Sequence, residues 1–258
     1  MSRRRLSSLS RERRQSGFQV PGASPLQLYR QILGSTMVEC WHAQYGIGLV
    51  GGAVDTWTGQ IAGTVLQAPG AGNRMAYGAD GSNWRGMSVC TSVRATPTYV
   101  TGTTGISALL PIGSQPYTFR VQRYTSAAVA NQSPFNILTG DARCHKAYTN
   151  VGPPLRPAYF SSVTNLTPAG ATDQAPHAFE ESFSDGTNSD LSLDGVSLAS
   201  AALNVQLTSA ATRVDIGYDT ATPRGCDGVH ALVILCTSRP TAAQRAAVLS
   251  IARQEWNF

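Results

Sequence analysis

Charged residues are scarce in this sequence of 258 residues. Asp, Glu, Lys and Arg together make up 14% of it, against roughly 25% in an ordinary soluble domain. Long solvent-exposed helices need charged side chains on their outer faces, so this composition disfavours them. The 25 glycines and 14 prolines instead suit short strands that are joined by many turns. We therefore expect an all-β fold.

Long apolar runs and paired cysteine motifs are also missing. No stretch of 18 apolar residues occurs, so we expect neither a transmembrane helix nor a membrane partner. The five cysteines form no C-x-x-C pair, and they are Cys40, Cys90, Cys144, Cys226 and Cys236. This odd number favours buried free thiols, as in proteins matured in a reducing compartment, with one or two disulfides as the alternative.

The net charge of +5 is concentrated in the first 17 residues. They hold six arginines and a single acidic residue, Glu12, whereas basic and acidic residues balance in the rest of the chain. A body without net charge has no field to steer a polyanion across its surface. The sequence therefore argues against a globular nucleic-acid-binding domain.

The basic arm is predicted to dock on a partner. An isolated segment of this composition has too little apolar surface to fold alone. Arginine binds carboxylates through two parallel hydrogen bonds, which suits contact with an acidic protein surface. Nucleic acid is the less favoured alternative. The proposed docking residues are Arg3, Arg4, Arg5, Arg11, Arg13 and Arg14.

Two helices are predicted to flank a series of strands. Ser24 and Pro25 give the N-cap and first position of a short helix, and Thr241 with Gln244 forms a capping box before a second one. We divide the chain into a basic arm and linker (1–23), a short helix (24–35) and one domain (36–258). For that domain we predict an antiparallel jelly-roll β-sandwich.

Period-two alternation marks several of the strands. Residues 117–124 alternate, and Val214, Ile216 and Tyr218 are predicted to share one face of another strand. Asp194-Gly195 predicts a type I′ hairpin turn. Residues 229–236 are almost all apolar, as expected of a central strand that is buried on both faces.

Three stretches resemble the concanavalin A-like, laminin-G-like jelly-roll domains found in bacteriophage structural proteins and bacterial surface proteins. The first stretch runs from Trp41 to Trp57 (W-H-A, then G-A-V-D-T-W), and the second is N-R-M-A-Y at 73–77. The third combines D-G-V-H-A-L-V-I at 227–234 with T-A-A-Q-R at 241–245. Two departures stand out: Met75 replaces a proline, and the acidic turn after the second tryptophan is reduced to residues 58–63.

The resemblance implies a non-enzymatic component of a virion, either a capsid decoration protein or a tail protein. Such a protein would be made in the host cytoplasm and carried in many copies, each docked by its arm on acidic surfaces of coat or tail subunits. The alternative is a carbohydrate-binding module that recognises host or surface glycans. Neither interpretation requires a cofactor or a metal.

The sequence offers weak candidates for chemistry. Glu180 and Glu181 are neighbours in a strand and must point to opposite faces, so we expect a solvated strand edge and not a catalytic pair. Asp185, Asn188 and Asp190 are expected to form a turn in preference to a calcium site. We expect no thiolate–imidazole pair at Cys144-His145, and His42 and His230 are predicted to be structural.

Aromatic side chains provide the candidate for sugar binding. Trp41 and Trp57 fall at positions that the resembled family packs in its core. Trp84, in the segment G-S-N-W-R-G, is predicted to be the most exposed tryptophan, and Trp84 with Arg85 is the predicted glycan contact.

Overall fold

The computed structural model describes residues 23–80, 84–126, 132–139, 145–149, 157–160, 165–166, 174–182, 187–202, 206–221 and 223–258. The arm with its six arginines lies outside these residues. The described α-helices are α1 (Pro25–Leu33), α2 (Ile106–Leu109) and α3 (Ala242–Trp256). None of them is long and apolar enough to cross a membrane.

Short strands make up most of the described chain. Every pairing among the described strands is antiparallel. The strands are β1 (Met37–His42), β2 (Ile47–Val50), β3 (Ala53–Thr58), β4 (Val65–Gln67), β5 (Met75–Ala79), β6 (Ser88–Ser92), β7 (Val100–Gly102), β8 (Tyr117–Tyr124), β9 (Phe135–Thr139), β10 (His145–Thr149), β11 (Pro157–Phe160), β12 (Asn165–Leu166), β13 (His177–Ser182), β14 (Ser189–Leu193), β15 (Val196–Ala201), β16 (Ala211–Ile216), β17 (Tyr218–Asp219), β18 (Arg224–Gly225) and β19 (Gly228–Cys236).

The first sheet is built around β19. Strand β8 pairs with one edge of β19, and β1 and β6 pair end to end with its other edge. The sheet continues from β8 through β13 and β14 to β15. All nine residues of β19 are buried, which confirms the central strand predicted from its apolar run.

The second sheet packs against the first. Its order is β2, β3, β4, β7, β16, β9, β10, β11, β12. Strand β5 pairs with β3 and with β6, so it joins the two sheets. This arrangement is the predicted antiparallel β-sandwich, and it is consistent with a jelly roll.

The hydrophobic core fills the space between the sheets. Trp41 of the first sheet and Trp57 of the second are fully buried there, as predicted. Their indole N–H groups donate to the carbonyl oxygens of Thr64 and His42. Burial of each large apolar side chain contributes about 1.5–3 kcal/mol to the stability of the sandwich.

Helices α1 and α3 cover the outer face of the first sheet. Both begin with the predicted caps: Ser24 and Gln27 form a capping box at α1, and Thr241 and Gln244 form one at α3. Glu255 of α3 joins the two helices to β1, because its carboxylate accepts hydrogen bonds from Tyr29 (2.9 Å) and His42 (2.7 Å). The backbone N–H of Gln44 donates to Nδ1 of His42, which places the imidazole proton on Nε2.

Candidate functional site

The predicted glycan contact at Trp84 is corrected by its burial. The indole is fully buried, donates from Nε1 to Asp80 (2.8 Å) and packs edge-on against Trp256 of α3 (5.7 Å between centroids). Trp84 and Arg85 both have positive φ, and this tight turn directs the indole inward. A buried indole offers no face to a sugar, so the expectation that it is exposed is wrong. Arg85 is exposed, and its contact with a glycan stays a prediction.

The two adjacent glutamates do point to opposite faces, but they are not at a solvated edge. Strand β13 lies between β8 and β14, and both carboxylates are buried. Glu180 accepts from the hydroxyl of Tyr117 (2.7 Å) on the side of α3. Glu181 accepts from Thr118 (2.7 Å) and pairs with Arg120 between the sheets. The expected solvent exposure is wrong because pairing on both edges encloses the strand.

The remaining candidates supply no metal site within the part of the chain that the structure describes. Asp185 and Cys144 lie outside that part. Asp190 lies in strand β14 and pairs on both sides, so its predicted place in a turn is wrong, and its carboxylate forms an ion pair with Arg239. No group of three or more His, Cys, Asp or Glu that could hold a metal occurs among the described residues.

The predicted structural histidines and free thiols are confirmed where they can be seen. His230 Nε2 lies 2.9 Å from the hydroxyl of Ser92, and both residues are buried. The four described cysteines, Cys40, Cys90, Cys226 and Cys236, are free and buried. Burial raises the pKa of each thiol, to about 12 for Cys226 and Cys236, so these thiols remain protonated near neutral pH.

A polar row crosses the outer face of the second sheet, away from the core. Thr101 of β7 lies opposite Gln67 of β4 on one side and Asp215 of β16 on the other, and Asp215 lies opposite Asn136 of β9. Residues directly opposite in a ladder share a face, and the flanking Val214 and Ile216 face the core. The polar row therefore lies on the face of the second sheet that points away from the core.

Hydrogen bonds hold the carboxylate of Asp215 in place within this row. Its Oδ1 accepts from the Thr101 hydroxyl (2.6 Å), and its Oδ2 accepts from the hydroxyl (2.7 Å) and backbone N–H (3.1 Å) of Thr220. Burial raises the pKa of Asp215, whereas the hydrogen bonds from the two threonines and the charge of Arg213 oppose that rise. These donors hold the carboxylate in one orientation.

Two tyrosines form an aromatic platform beside the row. Tyr99 and Tyr218 stack with ring centroids 4.6 Å apart and planes 22° apart, and both remain partly exposed. Their backbones are fixed, because Tyr99 N–H donates to Asn73 (2.8 Å) and the Tyr218 carbonyl accepts from Asn136 (2.7 Å). Burial and the nearby Tyr218 and Asp215 raise the pKa of Tyr99, against the effect of Arg213. The Tyr99 hydroxyl therefore stays protonated at neutral pH.

The sequence pattern missed this platform for a local reason. Alternation placed Tyr218 on the same face as Val214 and Ile216, but Gly217 adopts φ +90° and interrupts the strand. Tyr218 consequently stacks on Tyr99 and is not part of the core, so that prediction is wrong. A glycine between two alternating positions was the signal that could have indicated the break.

Tyr99, Tyr218, Thr101, Asp215 and Arg213 together form what we call the tyrosine site. Arg213 lies two residues before Asp215 on β16, and its side chain is 32% exposed. Such sites combine aromatic surface with a few fixed polar groups that orient a ligand. The arrangement suits a sugar, whose ring has apolar faces and a polar edge.

Comparison with known proteins identifies the fold and no family. No family model matches the chain, and a search of curated proteins found no match to it. Among solved structures, it is similar to domain 4 of a GH43 extracellular arabinanase from Geobacillus stearothermophilus in complex with arabinotriose, with a TM-score of 0.57 at 10% identity, covering 84% of this chain and 98% of that one.

Two other similar structures are larger than this chain. A Trypanosoma rangeli sialidase in complex with the inhibitor DANA gives a TM-score of 0.57 at 9% identity over 83% of this chain. The binding domain of botulinum neurotoxin DC in complex with SialylT gives 0.51 at 6% identity over 85%. The matched regions span 32% of the sialidase and 52% of the toxin domain. At these identities the likeness establishes the fold alone, which is an antiparallel β-sandwich.

Proposed function

We propose that this chain is a carbohydrate-binding domain without catalytic activity, and that it binds sugars at the tyrosine site. The observation that carries the proposal is the partly exposed Tyr99–Tyr218 stack beside a polar row whose side chains are already held in place. Similar solved structures support it, since the arabinanase domain was determined with arabinotriose and the toxin domain with SialylT.

The geometry explains how such a site would work. A sugar ring that stacks on a tyrosine removes apolar surface of both partners from water. Its hydroxyl groups can then exchange hydrogen bonds with Gln67 at the exposed end of the row and with the Tyr99 hydroxyl. Because Asp215 and the tyrosine backbones are already fixed, little further ordering is needed on binding.

The test is a glycan array with the full-length protein, followed by calorimetry with the best glycan. We expect Tyr99→Ala and Tyr218→Ala each to weaken binding at least tenfold, which corresponds to about 1.4 kcal/mol. Tyr45→Ala is the matched control, since Tyr45 is 38% exposed and packs on His42 at a different place. No binding to any glycan, or equal losses in all three variants, would contradict the proposal.

Docking to a virion is a second candidate, which the sequence alone supports. Its basis is the separation of a +5 arm from a body without net charge. We propose that the arginines of the arm would hold copies of the domain on an acidic coat or tail surface, where many weak contacts add up. Changing all six arm arginines to glutamine should abolish incorporation into particles, and unchanged incorporation would exclude this role.

A further inference from the structure

The guanidinium of Arg213, in the tyrosine site, is only weakly engaged by the residues around it. Its Nε is buried and has no hydrogen-bond partner among the residues that the structure describes. Oδ1 of Asp215 lies 3.6 Å from this nitrogen, beyond hydrogen-bonding distance. The rest of the side chain reaches the surface, where it is 32% exposed.

Asp215 does not turn toward Arg213 because other donors already engage it. Thr101 binds Oδ1, and Thr220 binds Oδ2 twice. Other described arginines are more fully engaged: Arg74 binds Asp55, and Arg123 binds Asp80 through two of its nitrogens. Arg213 thus lies beside the Asp215 carboxylate, which does not accept a hydrogen bond from the Nε of Arg213.

We infer that the sugar bound at the tyrosine site carries a carboxylate, and that Arg213 binds this group. The inference rests on the proposed function. A guanidinium presents parallel N–H donors that match the two oxygens of a carboxylate. Arg213 and Asp215 lie two residues apart on β16 and so share its outer face, and Asp215 lies opposite Thr101 of β7, two residues from Tyr99. A ring stacked on the tyrosines would therefore place an acidic substituent within reach of Arg213.

The experiment compares sugars that differ only in charge. Full-length protein is titrated calorimetrically with trigalacturonate and sialyllactose, and with the methyl ester of each. We expect each acid to bind at least tenfold more tightly than its ester, with a preference that declines at higher salt. Arg213→Gln should reduce this preference to less than twofold. Arg213→Lys should retain part of it.

Two controls separate the site from general basicity. Arg30→Gln removes the same charge from the exposed part of α1, on the helix-covered side of the first sheet, and should keep the preference. A chain with all six arm arginines changed to glutamine should keep it too. Loss of the preference in either control overturns the assignment to Arg213.

The outcomes also separate this inference from the proposed function. Equal binding of acids and esters by the wild-type protein, with Tyr99→Ala weakening both, overturns the acidic ligand and leaves carbohydrate binding in place. Binding of neutral sugars only has the same meaning. Binding of no sugar overturns both. Far-ultraviolet circular dichroism of each variant shows that the compared proteins are folded.

Discussion

Single residues inside the sandwich carry charges that the sequence composition does not suggest. The guanidinium of Arg120 is buried between the sheets, paired with Glu181 and placed 5.3 Å and 5.9 Å from the ring centroids of Phe179 and Phe135. Removing one partner of a buried pair leaves the other as an uncompensated charge in a medium of low polarity. The pair is therefore a sensitive point of the fold.

We expect Arg120→Met to lower the free energy of unfolding by about 3–5 kcal/mol, because Glu181 would stay buried without its cation. Urea denaturation measures the change. Arg74→Met is the control, since Arg74 and Asp55 form a pair at the surface, with side chains 23% and 24% exposed, and should cost about 1 kcal/mol or less. Similar losses in the two variants would show that the burial of Arg120 has no special weight.

His230 should make stability depend on pH. Burial, and to a lesser extent the charge of Arg120, lowers its pKa to about 3, whereas in the unfolded chain it is about 6.5. Between these values the unfolded state binds a proton that the native state does not. Stability must therefore fall as the pH drops below about 6.5, by up to about 1.4 kcal/mol per pH unit.

Replacing this histidine tests the assignment. His230→Asn keeps a polar group near Ser92 but cannot titrate, so its unfolding free energy should depend less steeply on pH between 6 and 4 than that of the wild type. Denaturant titrations at several pH values measure both slopes. Parallel slopes would mean that His230 is not the responsible group.

At the scale of elements, Glu39 of β1 organises the loop between β3 and β4. Its buried carboxylate accepts hydrogen bonds from the backbone N–H groups of Cys40, Ile61, Ala62 and Thr64. A Cβ on Gly59 would come within 2.1 Å of this carboxylate, so the position needs glycine. This is the loop in which the acidic turn of the resembled family is reduced, and here the acidic group comes from a neighbouring strand.

We expect Glu39→Gln to destabilise the protein by about 2 kcal/mol. The side-chain NH2 group of glutamine is a hydrogen-bond donor, and it would face backbone N–H groups that are donors too. The rate of amide hydrogen exchange should increase more at residues 59–64 than elsewhere in the protein. Asp55→Asn is the control, since Asp55 pairs with Arg74 at the surface. Unchanged exchange at 59–64 would contradict this role for Glu39.

Local signals in the sequence predicted some elements and missed others. Asp194 and Gly195 form the expected turn, both with positive φ, because two-residue hairpins leave few other residue choices. The capping boxes were also predictable, since they depend on residues three positions apart. The burial of Trp84 was not predictable, because it depends on Trp256 of α3, which approaches from a distant part of the chain.

The candidate site shows the same limit more sharply. The site forms because β7 and β16 are neighbours in the second sheet, which brings together Tyr99, Arg213 and Tyr218. The alternation of residues within a strand does not predict which strands will be neighbours. The surroundings of Arg213 likewise depend on Thr220, whose loop folds back on Asp215. Sequence patterns indicated the sandwich, whereas the tyrosine site required the tertiary structure.

At the scale of the whole molecule, the net charge lies in the first 17 residues, which precede Ala23, the first residue that the structure describes. We expect a variant with all six arm arginines changed to glutamine to lose its basic isoelectric point, because residues 18–258 have no net charge. Its urea midpoint should stay that of the wild type, since substitutions outside a core usually change stability by less than about 0.5 kcal/mol. Isoelectric focusing and denaturation test this, and a lower midpoint would show that the arm stabilises the domain.

The central place of β19 has a consequence for how the protein is made. Met37 of β1 pairs with Cys236, roughly 200 residues later in the chain. On the ribosome, the edges of β1, β6 and β8 that pair with β19 therefore stay unpaired until β19 has been synthesised. Such edges invite association with other chains. The nascent protein should depend on chaperones, and slowing translation should not relieve that dependence.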